Sequence, residues 1–132
     1  MKFPTVVAVL ALAGLAAVLT AGTAGSDAGR GASAWAFVDP AGPTLVAERS
    51  RGFVAVTSPE TGVFCLVPGP GLRLAHKAAV ASQEASRSFA LGWPLVRFSE
   101  DDPNCADDEL EVKTFNSDTA LTDQVAFTVV VP

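Results

Sequence analysis

The sequence has no tyrosine, one histidine and two cysteines among its 132 residues, and fourteen acids outnumber its nine lysines and arginines. Each shortage excludes something. A Ser–His–Asp hydrolase would have to use His76, and no G-x-S-x-G motif supplies a nucleophile for it. Two cysteines without a C-x-x-C offer no zinc-site pattern and no reactive-thiol context. With no basic stripe and a net charge of −5, the chain suits neither nucleic acid nor anionic membrane surfaces, both of which are held through neutralised phosphates. The lack of tyrosine is unusual for a recognition surface, where that residue is enriched. There are no internal repeats and no heptads.

Long apolar runs are confined to the start. Lys2 is followed by "VVAVLALAGLAAVL" (Val6–Leu19) and then by the small residues of "TAGTAGSDAG". Charge, apolar segment and small residues in that order predict a secretory signal peptide over 1–24, with Gly22 and Ala24 at the −3 and −1 positions of a cut after Ala24. The run is short for a bilayer-spanning helix, and nothing after Gly25 is long and apolar enough to insert once the leader is gone. Loss of Lys2 leaves the exported chain more negative still, which favours solubility. Residues 25–33, rich in Gly and Ser, read as a flexible lead, and 34–132 as one domain of ordinary size. The expected location is secreted or extracellular.

An even pair of cysteines in an exported chain predicts a disulfide, Cys65–Cys105. Closing a loop of that length is worth about 4 kcal/mol in the chain-entropy picture. That is a large share of the roughly 5–15 kcal/mol a small domain possesses.

From Ala34 onward the chain reads as short strands broken by turn residues. "SAWAFV", "TLVAERS", "FVAVTS", "VFCLV", "WPLVRFS", "LEVKTF" and "VAFTVVVP" are strand candidates, with "PETG" as the turn between the third and fourth. "VFCLV" is apolar at every position, as a central strand buried on both faces would be. "LEVKTF" alternates, as a half-exposed strand does. Pro94 marks a strand start or an edge. The alanine-rich stretch 72–86 permits a helix, but its β-rich surroundings favour a loop leading into a strand. The expectation is an all-β fold, an antiparallel sandwich or jelly roll of seven to eight short strands, whose closing strand pairs with "SAWAFV".

The acidic stretch around Cys105 is the one local feature that asks for chemistry. Asp101, Asp102, Asp107, Asp108 and Glu109, flanked by Glu100 and Glu111, are candidate calcium ligands by type, though their spacing fits no known calcium loop. No other cofactor is implied. His76, beside Lys77, reads as a surface residue. Trp35, Phe37, Phe53, Phe64 and Phe127 are expected in the core. Trp93, between Gly92 and Pro94 at a strand edge, is the aromatic expected to be exposed, where it could stack on a sugar or anchor an interface.

The pattern aromatic–Ala–x–Val at Trp35 to Val38, T-G-x-aromatic-Cys at Thr61 to Cys65, a second cysteine at Cys105, V-x-T at Val112 to Thr114 and a closing F-x-V-x-V-P at Phe127 to Pro132 resembles a family of small exported actinobacterial β domains. These occur alone or at the C-terminal end of longer secreted chains, some with collagen-like repeats. The resemblance implies a single-disulfide β fold across the exported chain; it brings no activity and no site residues. Phe64 stands where the pattern has tyrosine, and the chain has no collagen-like segment, so trimeric display is not carried over. Subtilisin-inhibitor-type proteins and enediyne-carrier apoproteins, of similar size, typically have two disulfides and match less well. The function expected is non-enzymatic: a cell-envelope or extracellular binding or structural module, with a cell-surface ligand or a second copy as partner. A calcium-dependent carbohydrate-binding module, a small hydrolase and a protease inhibitor are the alternatives.

Overall fold

The computed structural model describes residues 33–75, 77–98 and 103–132. The leader 1–24 with its cut after Ala24, the lead up to residue 32, His76, Glu100, Asp101 and Asp102 lie outside the described residues. The rest is all-β, with eight strands: β1 (Ala34–Asp39), β2 (Thr44–Leu45), β3 (Phe53–Glu60), β4 (Val63–Pro68), β5 (Val80–Gln83), β6 (Gly92–Phe98), β7 (Leu110–Asn116) and β8 (Phe127–Val131). They form two four-stranded sheets in the orders β2-β1-β8-β5 and β3-β4-β7-β6, every pair antiparallel.

Alternation along the strands explains why the sheets stack face to face. Ala34, Ala36 and Val38 on β1 and Phe127, Val129 and Val131 on β8 point inward from one sheet. Phe53, Phe64, Leu66, Leu110 and Val112 meet them from the other. Phe64 and Phe127 join the layers edge to face at 5.2 Å, an aromatic contact worth about 0.5–1.5 kcal/mol beyond the area it buries. The closing strand pairs with the first one, Ala34 opposite Val131, and sits between β1 and β5.

Several local expectations change. "TLVAERS" keeps only Thr44–Leu45 as strand and then turns into a 3-10 segment, Ala47–Arg49. Within that segment the Arg49 guanidinium lies 4.1 Å above the Phe37 ring and covers it. Phe37 is buried, but on the outward side of β1; Trp35 beside it is only half-buried, with the Arg51 guanidinium 5.5 Å from its ring, and does not join the core. The turn after β3 is narrower than "PETG". β3 runs through Pro59 to Glu60 with a register shift, and Thr61–Gly62 alone makes the bend. Gly62 has φ +71°, and a Cβ there would sit 2.6 Å from the Thr122 nitrogen. Stretch 72–86 contains strand rather than helix, namely β5, and Leu74 ahead of it is buried in the core.

One position in "LEVKTF" departs from expectation. The strand alternates, with Leu110, Val112 and Thr114 buried and Lys113 and Phe115 partly exposed, but Glu111, on the outward face, is wholly buried. Cys65, opposite Glu111 and facing outward from β4, is bonded to Cys105 with a Cα–Cα distance of 5.5 Å, so the disulfide lies beside Glu111 on the outer face of the sheet.

Candidate functional site

The outer face of the β3-β4-β7-β6 sheet is ordered in rows set by strand register. Cys65, Glu111 and Arg97 stand abreast on β4, β7 and β6; next come Val63, Lys113 and Leu95; next, Phe115 and Trp93. Leu121, in an isolated bridge with Phe115, extends the last row. One end of the face therefore carries the disulfide together with Glu111 and Arg97, the middle row carries Lys113 between Val63 and Leu95, and the other end is apolar.

Among these charged side chains, the Glu111 carboxylate has no solvent exposure, and its Oε1 lies 3.4 Å from Lys113 Nζ and 3.9 Å from Arg97 Nε. Burying a carboxylate away from water is costly unless cations accompany it, so these two side chains are held in place by it. Lys113 is mostly covered, whereas Arg97 keeps half its side chain in solvent. The loop above the disulfide end is braced by its own turn: the Ala106 amide donates to Glu109 Oε2 at 3.1 Å, and the Glu109 amide to the Ala106 carbonyl at 2.9 Å.

The apolar end is built on the edge strand. Leu91, Trp93, Leu95 and Arg97 alternate to the outside, with Leu91 76% and Trp93 43% exposed. The Trp93 and Phe115 rings lie nearly parallel, 19° apart with centroids separated by 6.1 Å, in a stacked arrangement. Two features fix this arrangement. At Gly92 the backbone runs so close to β7 that a Cβ would come within 2.0 Å of the Phe115 carbonyl oxygen, which sets the approach of Trp93 to its neighbour. Beneath Phe115, the buried Thr114 donates its hydroxyl to the Thr122 carbonyl and pins the segment carrying Leu121. Such a surface can accept the C–H face of a sugar ring or the apolar side of a protein.

Of the calcium candidates within the described residues, Asp107 and Asp108 are exposed, and Glu109 is engaged in the turn. Among the described residues, the group of three candidate ligand side chains within reach of one another is Cys65, Cys105 and Glu109, and two of these are joined in the disulfide. The structure thus brings together Trp93 with Phe115, Leu91, Leu95 and Leu121. Sequence reasoning singled out only Trp93. Its partners on β6 were signalled by the period-2 pattern L-x-W-x-L-x-R, whereas Phe115 and Leu121 are joined to it by register alone. No family model, curated protein or solved structure matches the chain.

Proposed function

We propose that the protein is an exported, non-enzymatic binding module of the cell envelope or extracellular space, and that it binds through the apolar end of its outer sheet face. The observation that carries this reading is the exposed group Leu91, Trp93, Leu95 and Leu121 around Phe115 on a sheet anchored by a disulfide. Apolar side chains grouped in this way on a small domain mark an interaction surface. The joined cysteines suit an oxidising compartment, as does the leader pattern of residues 1–24. The resemblance to small exported actinobacterial β domains fits the same reading.

The test is retention on isolated cell-envelope material by protein recovered from culture supernatant. Wild type is expected to be retained, and Trp93→Ala to lose about tenfold or more in affinity with little change in melting temperature, as for an aromatic anchor. Equal retention of both, or of neither, overturns the proposal. Turnover in a screen of ester, glycoside and peptide substrates overturns its non-enzymatic part.

The parallel Trp93–Phe115 pair favours carbohydrate as a second reading of the same face. Glycan-array binding that disappears with chelator would add calcium and the acidic loop to it. Binding that survives chelator would leave the rings alone responsible, and absence of binding removes carbohydrate.

A further inference from the structure

Beyond the Trp93 face lies a cleft of about 510 Å³, lined by Phe53, Val54 and Leu72 on its apolar side and by Ser33, Arg73 and Lys77 on its polar side. It opens beside β3, the edge of the sheet opposite β6, and shares no residue with the aromatic surface. Its volume is in the range of small-molecule sites.

The charges decide what it would hold. Among the described basic residues, Arg49 pairs with Glu84, Arg87 with Asp39, and Arg97 and Lys113 with Glu111, while Arg51 lies over Trp35. The remaining two, Arg73 and Lys77, pair with no Asp or Glu side chain among the described residues, and both line this cleft; Lys77 Nζ has the Pro132 main-chain oxygen, a carboxylate oxygen where the chain ends there, as its counter-charge. No Asp or Glu among the described residues lines it, although the chain as a whole carries a net charge of −5. Lys77 is also held in position: its Nζ donates to Ser33 Oγ at 2.8 Å and to the Pro132 oxygen at 3.1 Å. An ammonium has three N–H groups, so one remains for a ligand. Arg73 is exposed and offers the planar fork that meets carboxylate and phosphate oxygens in pairs. The wall is built rather than accidental. The Gly69 amide donates to the Gly52 carbonyl at 2.7 Å, tying the turn after β4 to the start of β3, and Leu72 N closes that turn on Gly69 O at 3.1 Å.

We infer that this cleft binds a small organic anion, with its oxyanion group between Arg73 and Lys77 and its apolar body against Val54 and Leu72. The experiment is an amide-shift titration of the exported protein with phenyl phosphate, benzoate, inorganic phosphate and benzyl alcohol in parallel. Saturable shifts at Gly52, Val54, Gly71, Arg73 and Lys77 are expected with phenyl phosphate or benzoate, and which of the two binds tighter distinguishes a phosphate from a carboxylate ligand. Benzyl alcohol, lacking the charge, and inorganic phosphate, lacking the apolar body, are each expected to bind about tenfold or more weakly. Arg73→Glu, at an exposed site that leaves folding intact, is expected to weaken the better probe by at least about tenfold, while Trp93→Ala leaves it unchanged. No saturable shift with either aromatic anion, shifts that persist unchanged in both Arg73→Glu and Lys77→Gln, or shifts that map to Trp93 and Phe115 would overturn the inference. Because Trp93→Ala separates the two surfaces, either can fail without the other.

Discussion

Glu111 and Gly92 show how much a single position contributes to the outer face. Glu111 sits abreast of the disulfide with its carboxylate fully buried, and it gathers Lys113 and Arg97 around it. A charge in that position can be kept only if its cations stay, so the polar row is a fixed part of the sheet rather than a solvated fringe. Gly92 acts through what it lacks. Substituting alanine would press a methyl group against the Phe115 carbonyl and against Val125, whose nearest atom would lie 2.7 Å away. Gly92→Ala is therefore expected to cost about 1–3 kcal/mol, as overpacked sites do, and to displace Trp93 from its ring partner. Thermal denaturation reads the first effect, and tryptophan fluorescence the second.

At the scale of elements, the β6–β7 connection is the unusual piece. A hairpin loop normally projects from the end of its sheet, but residue 105 of this one is bonded to Cys65 on the outer face of β4. Cys65 Sγ also lies 3.4 Å from the Asn104 carbonyl oxygen, so the loop backbone follows the bridge down onto β4. Cys65→Ser or Cys105→Ser is expected to lower stability by about 2–5 kcal/mol. Amide exchange offers a more specific check: reduction should accelerate exchange first in the 103–109 loop, well before the amides of β4 and β7. An unchanged melting temperature under reducing conditions would mean that the bridge contributes nothing to stability.

Across the whole molecule, the sandwich is closed by its last strand. β8 lies between β1 and β5 and supplies Phe127, Val129 and Val131 to the core, so its sheet has no centre until residues 127–131 are in place. A chain shortened to end before Phe127 is expected to lose cooperative unfolding altogether rather than to melt at a lower temperature, and circular dichroism of the truncated protein checks this. Contacts of such long sequence separation also imply slow folding relative to helical domains of the same size.

Much of this organisation follows from local physical chemistry and can be read directly from the residues. Apolar alternation marks the strands, Gly and Pro mark the breaks, an even pair of cysteines behind a leader-like start predicts their bridge, and the unbroken apolar run of "VFCLV" announces a strand covered on both sides. Trp93 beside Gly92 and Pro94 likewise betrays an edge. What local pattern could not decide is which faces are covered once the strands have assembled. "LEVKTF" alternates like a half-exposed strand, yet Glu111 is buried on its outward face, beside the Cys65–Cys105 bridge. Trp35 has the look of core but faces outward, and "TLVAERS" leaves its sheet, with Arg49 over the Phe37 ring. The pairing of Arg73 with Lys77 in one cleft depends on β1, β3 and the turn after β4 meeting at one end of the fold. Periodicity reports the direction in which a side chain leaves its strand; what it meets there is set by register and by loops distant in sequence, and so belongs to the tertiary structure.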